Sequence, residues 1–298
     1  MADKHILHFL TPLRHVSPFD INMAIDAGFD AVVPHTEVKS DEVPGLVQDA
    51  MFSRPPKTGA KTGIFFGGKQ AIEALDMLAA AKKALVPPFG ISFFADPAGS
   101  FTTAAAMVAC VEKLLREKAE RDLKGIRVAV FGATGVVGFS SAVIAGLHGA
   151  DVTMVGYDGV RRVSEGAREI KTRFDIDVRA ADGSDDETKQ AILAQNDIAL
   201  CAGRAGVQIL SRAQVEAAAN LLIVADVNAV PPSGVEGLDM MANGAALNSK
   251  GTMGIGPLAI GNVKYKTEFG LFKKMIEAAK PVCFDFRDAF VLARELNG

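Results

Sequence analysis

Cysteine and histidine are both scarce in this sequence, with three cysteines and five histidines in 298 residues. The cysteines, Cys110, Cys201 and Cys283, lie far apart among apolar residues, which indicates buried, inert thiols rather than a disulfide framework or a Cys-x-x-Cys metal site. His5 and His8 are three residues apart on a predicted strand, so they point to opposite faces and cannot share a metal. We therefore expect no metal site, no Cys/His nucleophile and a reducing, cytoplasmic setting.

Positive charge and long apolar runs are lacking as well. The 32 lysines and arginines are outnumbered by 35 acidic residues, so the chain has no basic surplus for nucleic acid or for a polybasic membrane contact. The sequence shows no run of about 18 uncharged apolar residues and no apolar signal-peptide core, which predicts neither a membrane span nor a secretion signal. Hydrophobic residues still make up 49% of the chain, which is ample for a core. At about 150 residues per domain, two domains are expected.

Short β-rich runs alternate with helical stretches along almost the whole chain. This alternation is typical of βαβ units around a mostly parallel sheet, so the predicted fold class is α/β. We predict strands at 6–9, 31–34, 62–66, 90–95, 126–131, 152–155, 177–180, 198–201 and 222–225, helices at 18–27, 69–85, 101–118 and 136–148, and a loop at 227–237.

A charged, apolar-poor segment at 116–125 marks the predicted boundary between two lobes. We expect an N-terminal α/β substrate domain at 1–120, completed by C-terminal helices at 266–298, and a dinucleotide-binding domain at 121–265. A cleft is expected between the two lobes.

The segment RVAVFGATGVVG carries the sharpest local signal. A predicted buried strand ends at Phe131, glycines follow at three-residue intervals, and a helix rich in small residues then begins. Glycines let the backbone turn tightly and approach a pyrophosphate, while the helix N-terminus offers unpaired N–H groups and a positive dipole end. We predict a Rossmann-type dinucleotide site formed by Gly132, Ala133, Thr134, Gly135, Val136, Val137 and Gly138. The alternative is an ordinary glycine-rich strand-to-helix turn.

The residues after the next predicted strand carry mixed signals about the nucleotide. Tyr157 and Asp158 follow that strand, and a carboxylate at this place accepts hydrogen bonds from both ribose hydroxyls, which favours NAD. Arg161 and Arg162 come next and can pair with a 2′-phosphate, which favours NADP. Both cofactors are therefore expected, unless these charges only solvate the start of a helix.

Several longer stretches resemble one enzyme family over essentially the whole chain. They are TPLRHVSPFDINMAIDAGFD, GIFFGGK, VPPF, FADPAGSFTTAAAMVA, VFGATGVVG, DVNAVPPSGVEGLD, GIGPLAIGNVKYKT and CFDFRDAF. The chain resembles the NAD(P)-dependent methylene-tetrahydromethanopterin dehydrogenases of methylotrophic bacteria, of the type that uses both NAD and NADP in formaldehyde oxidation. The resemblance implies a homo-oligomer that needs no metal or flavin. It also implies hydride transfer from 5,10-methylene-tetrahydromethanopterin to NAD(P)⁺, giving the 5,10-methenyl cation.

The resemblance further implies which residues bind the one-carbon carrier. Phe19 matches a phenylalanine at the pterin site, and Lys264 matches a lysine at the reaction centre; the alternatives are a core residue and a solvated helix lysine. Glu268 stands where the strictly NADP-dependent relatives carry a histidine, so no pterin contact is carried over there. Polar residues near helix starts are also expected at the substrate: Asp20, Asp96, Ser100 and Thr102. For the last three of these, capping of the long helix is the alternative.

Cofactor contacts are expected at the ends of the later strands, which border the crevice of a Rossmann-type sheet. Gly203, Arg204 and Asn228 follow such strands, and Gly254 and Gly256 are expected to bring backbone amides to the nicotinamide carboxamide.

Two other classes of function remain open at this level. A methylene-tetrahydrofolate dehydrogenase or a shikimate-type reductase would share the two-lobed plan. The first domain has no tyrosine for the Tyr-x-x-x-Lys pair of a bifunctional folate enzyme, because Tyr157 and Tyr265 are the only tyrosines. A nucleotide-sensing module is the non-enzyme alternative, and it would need the cofactor turn without a furnished cleft.

Overall fold

The structure, a computed structural model, describes residues 4–298. Within this range the chain forms two compact units: one holds the residues up to Thr102 together with Tyr265–Leu292, and the other holds Thr103–Lys264 with Ala293–Gly298. All three divisions fall inside long helices rather than in linkers, and the domain boundaries expected at 120 and 265 remain predictions.

The first unit, as far as the structure describes it, contains a five-stranded parallel sheet. Its strands are β1 (Ile6–Leu10), β2 (Ala31–His35), β3 (Thr62–Phe66), β4 (Ser92–Ala95) and β12 (Cys283–Phe284), in the order β12-β4-β3-β1-β2. Its helices are α1 (Pro18–Ala27), α2 (Val43–Phe52) and α3 (Ala71–Lys83). Phe65, Phe94 and Phe272 pack with ring centroids 5.2–5.4 Å apart and form the aromatic centre of the core.

The second unit contains a seven-stranded sheet within the described range. Its strands are β5 (Arg127–Phe131), β6 (Asp151–Gly156), β7 (Arg179–Asp182), β8 (Ile198–Cys201), β9 (Ile223–Asp226), β10 (Asn243–Ala246) and β11 (Met253–Ile255). The order is β10-β11-β9-β8-β5-β6-β7, with β10 alone antiparallel to its neighbour among the described strands. The helices of this unit are α5 (Val136–Leu147), α6 (Arg161–Phe174), α7 (Asp186–Gln195) and α8 (Arg212–Ala217). Because the chain leaves β5 on one side and returns to its other side at β8, the strand order reverses there, and this opens a crevice at the carboxyl ends of the two strands.

Three further helices, α4 (Ser100–Ala119), α9 (Pro257–Glu277) and α10 (Phe286–Asn297), each contribute residues to both units. By length and composition alone, the helical segment Pro97–Ala119 is long and apolar enough to span a membrane. In the structure, 83% of its apolar window is buried, which is the environment of a core helix.

The predicted α/β class is confirmed, and several bounds match to the residue. The strand Thr62–Phe66, the strand Ile198–Cys201 and the helix Pro18–Ala27 lie as predicted. Sequence analysis missed α2 and the three strands β10, β11 and β12. Proline and glycine in its first turn hide α2, although its buried residues 43, 47, 50 and 51 keep helical spacing.

Burial raises the pKa of all three thiols, which keeps them protonated near neutral pH. The pKa rises to about 11 for Cys110 and Cys283, and well above its ordinary value for the fully buried Cys201.

Candidate active site

Three glycines after β5 shape the strand-to-helix turn, each for a different steric reason. Gly132 has φ +73°, and a Cβ on it would lie 2.3 Å from the carbonyl oxygen of Ala202 at the end of β8. A Cβ on Gly138 would lie 2.4 Å from the carbonyl oxygen of Gly132, so helix α5 packs directly on the turn. Gly135 meets nothing closer than 3.4 Å, so the protein itself has room for a side chain there. Its missing side chain leaves open space in front of the helix.

The N-terminus of α5 is open to an anion. Gly135 is its N-cap, and no side chain of the described residues caps it. The first N–H groups of a helix have no intrahelical acceptor, and the aligned peptide dipoles leave positive charge at this end. Within the turn, Ala133 is fully buried and Thr134 is exposed. Val136 and Val137, in the first turn of α5, are partly buried. These residues fit a pyrophosphate at the place that the sequence predicted.

A cavity of about 640 Å³ lies in front of this turn. Its walls are the turn itself, the end of β6, the segment after β7 and the segment after β8, contributing among others Thr134, Tyr157, Arg162, Ser184, Lys189 and Arg204. The volume lies within the usual range for cofactor sites, roughly 300–1,000 Å³. Glycines that exclude side chains from the floor and a helix N-terminus aimed at the opening together fit a dinucleotide.

The side chains predicted to read the ribose form a small cluster at the rim. The Arg162 guanidinium lies 3.3 Å from an Asp158 carboxylate oxygen and 3.1 Å from the Tyr157 hydroxyl, with its centre 5.7 Å from the Tyr157 ring centroid. These hydrogen bonds raise the pKa of Arg162. Arg161 instead pairs with Glu165, and its side chain is 80% exposed outside the cavity lining.

Gly203 and Arg204 follow β8 and line the cavity, as the strand-end prediction requires. Asn228 has a different position, because its side chain holds the loop after β9 together. Its Oδ1 accepts from the N–H groups of Gly206 and Val230, and its Nδ2 donates to the carbonyl of Pro232. Asn228 therefore links the predicted loop at 227–237 to the segment after β8.

Asp226, the last residue of β9, supports the same loop from below. It is fully buried and accepts hydrogen bonds from the N–H groups of Asn228 and Val235. Burial raises the pKa of this carboxyl, although the backbone N–H groups oppose the rise.

Gly254 and Gly256 are closely packed, and the carboxamide contact predicted for them stays a prediction. A Cβ on Gly256 would lie 2.2 Å from the carbonyl oxygen of Asp239, and one on Gly254 would lie 2.4 Å from a methyl carbon of Leu238. The N–H of Gly256 already donates to the carbonyl of Ala242 at 2.8 Å. Close packing against the segment before β10 explains why both positions lack a side chain. The Gly256 N–H donates its hydrogen bond within the same unit.

On the first unit, Phe19 stands exposed in the first turn of α1. The Ser17 side chain caps this helix by accepting from the N–H of Asp20. Asp20 is buried, whereas the Phe19 side chain is 48% exposed, which does not fit a core residue. Phe19 meets Tyr265 edge to face, with ring centroids 6.4 Å apart and an interplanar angle of 83°. The two rings form an exposed aromatic pair.

Asp96 and Thr102 cap α4. One Asp96 oxygen accepts from the N–H groups of Phe101 and Thr102, and the other accepts from the Thr102 hydroxyl at 2.6 Å. Both side chains are fully buried, and Ser100 beside them is partly buried. The capping alternative therefore describes the geometry of Asp96 and Thr102.

Lys264 is partly buried on α9, immediately before Tyr265. Glu268 follows one helical turn later and is fully buried. The Lys264 side chain is therefore neither fully exposed to solvent nor buried in the core.

Among residues 4–298, no group of three or more His, Cys, Asp or Glu side chains is placed to hold a metal ion. His8 and His35 do contact each other on neighbouring strands, with ring nitrogens 3.1 Å apart. Burial lowers the pKa of both, and for His8 the charge of His35 adds to the effect.

Among the residues that the structure brings to these sites and that sequence reasoning missed are Ser184, Lys189 and Tyr265. Ser184 and Lys189 follow β7, and the strand order would have pointed to them, because the carboxyl ends of adjacent parallel strands share one edge. Tyr265 belongs to the GNVKYK stretch and could have been considered with its neighbour Lys264.

Comparisons with known proteins agree with this geometry. The family model described as methylene-tetrahydromethanopterin dehydrogenase, N-terminal, matches residues 18–98. The chain is 53% identical over 295 residues to the NAD(P)-dependent methylenetetrahydromethanopterin dehydrogenase of Methylorubrum extorquens strain AM1, covering 99% of both chains. It is 32% identical over 296 residues to the bifunctional protein MdtA of the same organism, covering 99% of this chain and 100% of the relative.

A solved structure shares the fold at much lower identity. Shikimate 5-dehydrogenase from Listeria monocytogenes, in complex with shikimate and NAD, superposes with a TM-score of 0.54 at 15% identity, covering 90% of this chain and 91% of that one. The strand order, the glycine turn and the full-length relative together assign the chain. It belongs to the family of NAD(P)-dependent methylenetetrahydromethanopterin dehydrogenases.

Proposed function

We propose that this protein oxidises 5,10-methylene-tetrahydromethanopterin with NAD(P)⁺, giving the 5,10-methenyl cation and NAD(P)H. The observation that carries the proposal is the 53% identity to a relative of that name over 99% of both chains. The reaction belongs to one-carbon metabolism, in the oxidation of formaldehyde. We also propose a cytoplasmic setting and a homo-oligomeric assembly, both of which rest on the resemblance.

The nucleotide-binding part of the proposal rests on the cavity of the second unit. When bound, the nicotinamide ring supplies the hydride acceptor. The α5 N-terminus offers N–H donors to the pyrophosphate, and Gly135 leaves it room to approach. Asp158 and Arg162 meet at the rim, where the ribose hydroxyls or a 2′-phosphate would be read. Arg204, exposed in the lining after β8, adds positive charge to the same cavity.

The substrate-binding part rests on the aromatic pair. Phe19 and Tyr265 expose apolar ring faces in a protein that has only 7% aromatic residues. A flat pterin ring stacks favourably on such faces. We therefore assign both residues to the pterin, with Tyr265 added to the predicted Phe19.

Lys264 orients the substrate in this proposal and does not take a proton. Hydride departure leaves a cation shared by two pterin nitrogens, and no proton moves in that step. A protonated amine close to the reacting carbon would oppose the growing positive charge. Lys264 therefore binds an acceptor oxygen of the pterin at some distance from that carbon.

A carboxylate near the developing cation would lower the barrier. Asp96 is committed to the cap of α4, with hydrogen bonds to both of its oxygens. Asp20, next to Phe19 in the first turn of α1, is therefore the carboxylate that we assign to this role.

Steady-state kinetics with the methylene forms of tetrahydromethanopterin and tetrahydrofolate, each with NAD⁺ and NADP⁺, test the proposal. We expect kcat/KM to be highest with the methanopterin carrier, with both nucleotides accepted. Preference for the folate carrier would instead support the folate dehydrogenase alternative. Nucleotide binding with no reduction of NAD⁺ or NADP⁺ by either carrier, or by shikimate, would support a nucleotide-sensing module.

A further inference from the structure

One wall of the nucleotide cavity comes from a segment to which the sequence assigned no function. Gly183 and Ser184 follow β7, and Lys189 stands on α7; all three line the cavity. The N–H of Gly183 donates to the carbonyl of Gly156 at 2.8 Å, which ties this segment to the last residue of β6. A Cβ on Gly183 would lie 3.7 Å from Cγ of Lys189. The lysine stem therefore lies beside the end of β6, where the ribose-reading residues begin.

The side chain of Lys189 is held in place by packing, and the nearby carboxylate of Asp186 neutralises its positive charge only weakly. Its side chain is only 20% exposed, so the stem is largely fixed by packing. Its partner within the helix is Asp186, at 3.5 Å, which is long for a charged hydrogen bond. The Asp186 side chain is 89% exposed and also accepts from Gln214, so the ion pair contributes little.

The charges at the rim explain why a second cation matters for NADP. Asp158 and Arg162 lie 3.3 Å apart, so the positive charge of one is largely offset by the negative charge of the other. A 2′-phosphate carries nearly two negative charges near neutral pH, with a second pKa of about 6. Arg161 does not supply the missing charge, because it pairs with Glu165 away from the cavity lining.

We propose that Lys189 is a specificity-determining residue that supplies, together with Arg162, the positive charge for the 2′-phosphate of NADP. This site would let the chain accept NADP while keeping the carboxylate of Asp158 for the ribose of NAD. The inference rests on the proposed function only in needing a dinucleotide in this cavity.

Calorimetric titration with two nucleotide fragments tests the inference without the reaction. The probes are 5′-AMP and 2′,5′-ADP, which differ only in the 2′-phosphate. Lys189→Met keeps the apolar stem and removes the charge, and Lys189→Arg keeps the charge. Lys171→Met is the matched control. Lys171 lies on α6 outside the cavity lining and pairs with Asp175 and Asp177, which follow the helix.

We expect Lys189→Met to weaken 2′,5′-ADP binding about tenfold, the loss of one charge-assisted contact, and to change 5′-AMP binding less than about twofold. Lys189→Arg should restore most of the 2′,5′-ADP affinity. The control should bind both fragments like the unmodified protein, and thermal melts verify that each variant is folded.

Several outcomes would overturn the inference. An equal loss for both fragments in Lys189→Met would make Lys189 a structural residue or a pyrophosphate contact. A selective loss of 2′,5′-ADP binding in Arg161→Met, with Lys189→Met unaffected, would assign the charge to Arg161. A failure of either fragment to bind the unmodified protein would overturn the nucleotide cavity itself. Selective fragment binding without oxidation of the methanopterin carrier would overturn the proposed function and leave this inference standing.

Discussion

The carboxylate of Asp158 and the guanidinium of Arg162 lie 3.3 Å apart, four residues from each other along the chain, and Arg162 lines the nucleotide cavity. The two residues have opposite preferences, because the carboxylate favours free ribose hydroxyls and the guanidinium favours a 2′-phosphate. We propose that their contact moderates both preferences and is the electrostatic basis for the use of NAD and NADP by one site.

Replacing Asp158 by Asn should raise kcat/KM with NADP⁺ and lower it with NAD⁺, because the repulsion of the 2′-phosphate is lost together with an acceptor for the ribose. The pair is half-exposed, so we expect the ratio to move by about fivefold. Glu169→Gln, which removes a carboxylate that pairs with Arg173 on α6 outside the cavity lining, serves as control. An unchanged ratio in Asp158→Asn would mean that this carboxylate does not face the ribose.

Two glycine variants separate the structural and binding roles of the turn. In Gly138→Ala the new Cβ would lie 2.4 Å from a backbone oxygen, so we expect a lower melting temperature and weak nucleotide binding. In Gly135→Ala the Cβ meets nothing closer than 3.4 Å, so the melting temperature should hold while NAD⁺ binding falls at least about tenfold. Melting curves and NAD⁺ titrations measure both. Normal NAD⁺ affinity in Gly135→Ala would show that the pyrophosphate does not bind at this helix N-terminus.

Lys264→Met should raise KM for the methanopterin carrier about tenfold or more, because an orienting hydrogen bond from a charged group is lost. The deuterium isotope effect isolates hydride transfer, and the pH dependence of that step should keep its shape. Lys266→Met, which changes an exposed lysine on the same helix, is the control. If the hydride step of Lys264→Met loses a titrating base, Lys264 is an acid–base group.

Dialysis against a strong chelator should leave activity intact. Hydride transfer needs close stacking of donor and acceptor rather than a Lewis acid. The described residues 4–298 also contain no cluster of three ligating side chains. Activity before and after dialysis, with zinc or magnesium added back, is the measurement. Activity lost on dialysis and restored by either ion would contradict the expectation.

The contact between Arg127 and Asp197, at the start of β5 and just before β8, should stabilise the fold in a pH-dependent way. Burial alone would raise the pKa of Asp197, but hydrogen bonds and charge from Arg127 outweigh it, so the pKa lies below its usual 3.8. A depressed carboxyl pKa contributes stability above the usual value, and this contribution is lost as the pH falls through the depressed one. Arg127→Met should therefore cost about 1–2 kcal/mol of unfolding free energy at pH 7, and the difference should narrow as the pH falls below 3.8 toward the depressed pKa.

Denaturant unfolding at pH 7 and pH 3 measures that difference. Arg179→Met, which removes a more exposed pair with Asp151, should cost less than about 0.5 kcal/mol at either pH. A loss in Arg127→Met that is the same at both pH values would show that packing, not the ion pair, carries the effect.

Much of the fold could be predicted from the sequence where the signals are local. The cap of α1 depends on a serine oxygen that accepts from the N–H three residues later, and the turn after β5 depends on glycines within seven residues. Steric and hydrogen-bonding rules act over that range, so the residues involved could be named in advance. The resemblance added Phe19 and Lys264. The exposure of Phe19 does not fit a core residue, and the partial burial of Lys264 does not fit a solvated helix lysine.

The sequence by itself determined the α/β class, the glycine turn and the opposed charges of Asp158 and Arg162, because each is set by neighbours along the chain. The tertiary structure alone decided features that depend on which elements become neighbours. The two residues of β12 form a strand only because β4 lies beside them. A side chain at position 256 would collide with a carbonyl of a preceding segment, so Gly256 depends on that packing. The Asp96 carboxylate caps a helix and accepts hydrogen bonds from its first N–H groups. Lys189 reaches the cavity because β7 lies next to β6, and strand order is a property of packing rather than of any short stretch of sequence.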